Sequence, residues 1–565
     1  MSVRSYISLF LALLLMACQV PTPSLPSIPT LASHREQKPP TEPTAEASPQ
    51  AMPCCQIRLH PEEKLYVGDQ VSFEIIAPSA EPYLSQTVTV TLSSPSTLIG
   101  NAPFKPYGFD RRPQATLLWA WDTQSLAAGE YQLHFSIPAL QEEWTQTVTL
   151  LPRASLPVAE QTAQWQSLNT DCCEIYFITQ TAAQRDIEEI AEIVTQRYQT
   201  MQAQIPIHPE QPLSVVLIPR VIGNGGFANA EINVSYLDRN YTSSDFATIL
   251  HHEMAHLFDQ LAQPDGRPSL YVEGIAVYLS GGHYYPEPLL PRAAELVRSQ
   301  KYIPLPELAT DFYAAQHEIA YLEAGALVEY MSHRWGWQKV WETYLAMSLR
   351  KGETQLQAIE RALQTELGLS LETLEKDFLT ALTNTNTTLV TSLDIANMEH
   401  FYEVMRAYQQ QLDPSAYYRT AWMLDGEQMR HRRITADYLR HPSQIENLVL
   451  ELLLNEAGRA RRAGEFGRAE AIIEAVESAL AGLPRKNGEY FSYHPIARDA
   501  WDVVSVLLAL GYEPQMWTLG NDRAEVLVTQ GSTTLKQVIL ERHTDGWQIL
   551  SGASATADDL IERTQ

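Results

Sequence analysis

The run His252-Glu253-Met254-Ala255-His256 constrains this chain more than any other feature, because its chemistry works only on a helix. There, two histidines four residues apart project from one face and can hold a single zinc ion. The glutamate between them sits beside that ion and can take a proton from a bound water. The flanking residues support a helix. Phe246, Ile249, Leu250, Met254, Leu257, Phe258 and Leu261 recur three and four residues apart and give one apolar face. Thr242, Ser243 and Ser244 offer capping hydroxyls, Asp245 falls in the predicted first turn, and Gln263-Pro264-Asp265-Gly266 ends the element. At about 100° per residue, His252 and His256 lie about 40° apart, whereas His251 points well away from both and is expected to pack.

Beyond it comes Tyr271-Val272-Glu273-Gly274-Ile275-Ala276, inside the apolar stretch Leu270 to Leu279. On a second helix Glu273 is expected to be a third, oxygen ligand. A fourth position then stays open for water, which separates a catalytic zinc from a closed structural one.

These segments resemble the gluzincin type of zinc metallopeptidase, in particular the bacterial peptidase MA-like family. The matching pieces are His252 to His256, the helix Tyr271 to Tyr278, and the later run Ala320-Tyr321-Leu322-Glu323-Ala324-Gly325-Ala326-Leu327-Val328-Glu329-Tyr330. Tyr271-Val272-Glu273 stands where the family more often has Trp-Leu-x-Glu, and an aromatic residue still leads the helix. The likeness covers roughly residues 160–385 and implies an α+β zincin-like domain. It implies Zn2+ as cofactor, with His252, His256 and Glu273 as ligands and Glu253 as general base. It also implies Tyr321 as the donor that steadies the oxyanion. His283 and His317 are further candidates for that last role; Asp259 is a candidate for orienting a ligand imidazole, with a solvated last-turn residue as the favoured reading. The implied substrate is a peptide or protein, bound by strand addition along a sheet edge that Ala228 to Val234 would line.

The N-terminus reads as a lipoprotein signal over residues 1–17. Arg4 supplies a positive charge, Ile7 to Met16 is a short apolar run, and Leu15-Met16-Ala17-Cys18 resembles a bacterial lipobox. The resemblance implies cleavage before Cys18, lipid attachment to its thiol, and a membrane-anchored, extracytoplasmic protein, periplasmic or extracellular. Residues 18–52, dominated by Pro, Thr, Ser, Ala and Glu, cannot bury a core and read as a disordered tether. The other cysteines form two vicinal pairs, Cys54-Cys55 and Cys172-Cys173, which lack zinc-ligand spacing. Bridges between the pairs, tying one domain to the next, are expected in preference to bridges within each. A formal charge of −27 argues against binding nucleic acid, whose phosphates would be repelled. The basic run Arg430-His431-Arg432-Arg433 reads as a solvated helix face.

The expected fold class is multidomain. Residues 53–153 alternate short β-rich runs with turns and suggest an immunoglobulin-like β-sandwich. The peptidase-like region, residues 160–385, opens with a strand from Glu174 and a helix from Ala182 to Met201, and carries an edge-like run from Glu231 to Leu237. Residues 386–485 read as a helical region, and residues 486–565 as a small α+β domain. Two rival functions share these residues. One is a non-catalytic envelope binding protein on a relic metallopeptidase fold; the other is a hydrolase of cell-wall amides.

Overall fold

The computed structural model describes residues 54–94, 96–223, 225–237, 239–262, 266–483 and 489–550. Cys18, the lipobox and the tether lie outside the described residues. Contact density divides the chain into two compact units. Among the described residues, the first is built from residues 54–59, Ser72–Trp121 and Glu130–Val148; the second holds His60–Val71, Asp122–Gly129 and the described residues from Thr149 onward.

The N-terminal region is sheet-rich. One sheet has the strand order Gln56–His60, Gln70–Ile76, Arg112–Asp122, Lys105–Tyr107. The other runs Leu65–Tyr66, Glu142–Leu151, Gly129–Ile137, Thr87–Ser93, Ser96–Pro103. Period-two sequence gives several strands one buried face. In Thr87–Ser93, Val88, Val90 and Leu92 are buried while the threonines between them are not. Phe73 of the first sheet meets Phe135 of the second edge to face, with ring centroids 6.4 Å apart.

The second unit opens on a five-stranded sheet ordered Trp165–Asn169, Cys173–Ile178, Leu213–Ile218, Ile232–Ser235, Gly226–Ala228. The middle three strands run parallel, and each outer strand is antiparallel to its neighbour. Ile232–Ser235, within the run expected at an edge, is therefore interior; the edge belongs to Gly226–Ala228. The helix expected over Ala182 to Met201 is two elements, Ala182–Arg185 and Ile187–Gln204. They part at Asp186, whose carboxylate takes hydrogen bonds from Arg185 and from the Tyr236 hydroxyl.

Cys172 and Cys173 are bonded to each other, so the bridge expected between the two pairs is not formed. Cys54 and Cys55 are not disulfide-bonded, and their Sγ atoms lie 2.6 Å apart. The local turn explains the first pair: the Thr170 hydroxyl accepts from the Cys173 amide, which folds the chain tightly at the start of its strand.

One continuous apolar core runs from Cys172 to Trp547. The boundaries expected near 385 and 485 thus fall inside a single packed body. Its helices include Leu389–Leu412 and the antiparallel pair Ile445–Arg462 and Phe466–Gly482. Arg430, expected on a solvated face, instead pairs with Glu231 and lies over the Tyr176 ring. The C-terminal piece is the helix Pro495–Ala509 followed by a meander of Glu513–Leu519, Arg523–Thr529, Lys536–His543 and Gly546–Ile549. Buried Trp517 joins it to the helices, donating its indole N–H to the Leu452 carbonyl at 3.1 Å. Among the described residues no helix is long and apolar enough to cross a membrane.

Candidate metal centre

The motif helix spans Phe246–Ala262. Asp245 caps it rather than entering its first turn: Oδ2 accepts from the amide and the hydroxyl of Thr248, at 2.8 and 2.6 Å. The helix packs on the strands Gly226–Ala228 and Ile232–Ser235 and on the helix Ile187–Gln204. His251 turns toward that last helix, its Nε2 lying 2.8 Å from Gln204 Oε1.

Glu273 comes from the helix Ser269–Ser280, which packs between the motif helix and the helix His317–Trp335. Two glycines set the distance between the last two helices. A methyl group on Gly274 would stand 2.7 Å from the Ala324 carbonyl oxygen, and one on Gly325 would stand 2.4 Å from Val277 Cγ1. The glycine beside Glu273 is therefore required by packing, and the packing fixes how far the carboxylate reaches.

His252, His256 and Glu273 converge. The two Nε2 atoms are 3.1 Å apart, and Glu273 Oε2 lies 3.3 Å from the first and 3.2 Å from the second. Donors bound tetrahedrally at zinc–nitrogen and zinc–oxygen lengths stand about 3.3–3.5 Å from one another. The triangle is thus within a few tenths of an ångström of the base of such a site, and its nitrogen and oxygen donors suit a divalent cation.

The three side chains also act on one another through charge. Burial raises the Glu273 carboxyl, but the His256 charge and the hydrogen bonds from both imidazoles hold it well below the usual carboxylate range. Burial lowers His256, yet Glu273 lifts it to about 9. For His252 burial prevails and the shift is downward. Glu253 does not share this pairing. It is only 6% exposed, and burial pushes it up to about 8, against the opposing pull of His256.

Gly226 makes room for that carboxyl. A methyl group there would stand 2.9 Å from Glu253 Cγ and 2.8 Å from Ile249 Cγ2, so only glycine lets the edge strand run this close. Of the run expected to line an edge cleft, Ala228 lies on the edge strand, whereas Ile232 to Val234 are paired on both sides.

Tyr321 lies within the site's aromatic wall. Its ring centroid is 6.1 Å from that of His252, and it stacks on His283 at 3.9 Å. Burial, with Glu273 nearby, keeps its hydroxyl protonated. His283 also stacks against His252 at 5.1 Å, and His317 packs 4.2 Å from Tyr321. Burial holds both histidines neutral. Asp259 does not orient an imidazole; its carboxylate and its carbonyl both accept from Arg267.

Sequence reasoning missed two contributors. Tyr313 donates its hydroxyl to Glu273 Oε1 at 2.7 Å. It sits in the short 3-10 turn Phe312–Ala314, where no periodicity marks it. The second is the stretch beyond residue 385, which backs the wall: Tyr402 stacks on Tyr284 at 4.5 Å and Tyr418 packs 4.7 Å from His317. No protein-family model matches the chain, and no curated protein matches it.

Proposed function

We propose that this chain is a zinc-dependent peptidase of gluzincin type. The observation that carries the reading is the triangle of His252 Nε2, His256 Nε2 and Glu273 Oε2 with the buried carboxyl of Glu253 on the same helix. The mixed sheet, with its antiparallel edge strand against that helix, supports a zincin-like domain. The two facing sheets of the N-terminal region support an immunoglobulin-like accessory module. The lipobox at Cys18 supports attachment to the outer face of a bacterial membrane.

When bound, zinc supplies a Lewis acid that polarises both the attacking water and the scissile carbonyl. Glu253 takes the proton of that water and passes it to the leaving amine. Tyr321, a protonated donor beside the His252 ring, steadies the oxyanion. The edge strand Gly226–Ala228, paired on one side by Ile232–Ser235, is where an extended peptide would add.

The test is Glu253→Gln, assayed on unfolded protein substrates and on peptidoglycan fragments. The variant is expected to keep its zinc and lose at least about 100-fold in hydrolysis. Full activity in the variant contradicts the mechanism. Hydrolysis of peptidoglycan alone assigns the same chemistry to cell-wall amides, and a zinc-loaded wild type without hydrolysis of either favours the binding-protein alternative.

A further inference from the structure

The two oxygens of Glu273 are used differently. Oε2 faces the imidazoles, 3.3 Å from His252 Nε2 and 3.2 Å from His256 Nε2, while Oε1 accepts the Tyr313 hydroxyl at 2.7 Å. Tyr313 belongs to neither of the helices that carry the three donors. Its turn, Phe312–Ala314, is anchored by buried Phe312, whose ring packs 5.1 Å from Tyr321 and edge-on to Tyr313 at 5.4 Å. A glutamate's terminal torsion is broad, and its carboxylate can offer one oxygen or two to a cation. A hydrogen bond to Oε1 removes that freedom.

We propose that Tyr313 is a positioning residue for Glu273, holding the carboxylate so that one oxygen alone faces the two imidazoles. The proposal rests on the zinc reading above. Groups that orient metal ligands from outside the coordination sphere are worth about 10–100-fold in metal affinity. Tyr313→Phe keeps the ring and its packing on Phe312, and removes the hydroxyl with its bonds to Glu273 and Ser269.

The experiment compares wild-type protein and Tyr313→Phe as full chains in three measurements. These are zinc affinity by competition with a chromophoric chelator, melting of the metal-free protein, and the d–d absorption of the cobalt-loaded protein. Zinc affinity is expected to fall about 10–100-fold with the metal-free melting temperature unchanged. The cobalt band is expected to weaken as the released second oxygen raises the coordination number. Equal affinity with an unchanged cobalt spectrum overturns the proposal. If the metal-free variant also melts lower, the cobalt spectrum decides: unchanged, it overturns the proposal, and weakened, it upholds it. A wild type that takes up no zinc overturns the zinc reading and this proposal together, whereas equal affinities overturn this proposal alone.

Discussion

At the scale of single residues, the site depends as much on what is absent as on what is present. Glu253 has its position because Gly226 has no side chain; a methyl group there would fall 3.0 Å from Glu253 Oε1. Gly226→Ala should therefore displace the carboxyl while leaving His252, His256 and Glu273 in place. The expected outcome is about a tenfold or greater loss of hydrolysis, unchanged zinc content, and a stability cost of about 1–3 kcal/mol from overpacking. Zinc content by mass spectrometry beside an activity assay checks it; loss of zinc in proportion to activity would contradict it. The pairing of His252 with His256 was legible in the sequence because helical geometry alone sets the angle between them. Gly226 and Tyr313 were not, since each acts through a contact between elements distant in sequence.

At the scale of elements, the helix Ser269–Ser280 is the part whose placement matters most. Its seat against His317–Trp335 is set by the reciprocal contacts of Gly274 with Ala324 and of Gly325 with Val277. At Gly274 the obstruction is backbone carbonyl, which cannot rotate aside. Gly274→Ala should push the helices apart, at a cost of about 1–3 kcal/mol and with weaker zinc binding, because Glu273 is the neighbouring residue. Thermal melting and a zinc titration read the two effects; a variant unchanged in both would contradict the account. Apolar periodicity revealed the motif helix and its length. It could not reveal that the strand Gly226–Ala228 forms the edge, since three residues that include a glycine carry no strand period, and only pairing on both sides makes Ile232–Ser235 interior.

At the scale of the whole molecule, the peptidase-like pattern expected from the sequence stops near residue 385, yet the core does not. Helix Leu389–Leu412 packs against Leu289–Arg298 and His317–Trp335, and Tyr402 covers Tyr284. A fragment of residues 160–385 would expose that surface to water. It is expected to aggregate or to melt without a cooperative transition, whereas the full chain melts cooperatively. Calorimetry of the two proteins checks this, and a sharply melting, zinc-binding fragment would contradict it. Composition and turn signals revealed the sheet-rich N-terminal region and the C-terminal meander. The continuity of the core was hidden, because a helix face looks equally apolar whether it covers its own domain or a neighbour.

The proposed function stands or falls on whether His252, His256 and Glu273 hold one zinc ion. The direct measurement is metal content of the purified protein by mass spectrometry, beside Glu273→Ala. The account predicts about one zinc per chain in the wild type, lost or greatly weakened in the variant. No zinc in either protein after supplementation, or equal zinc in both, would contradict it.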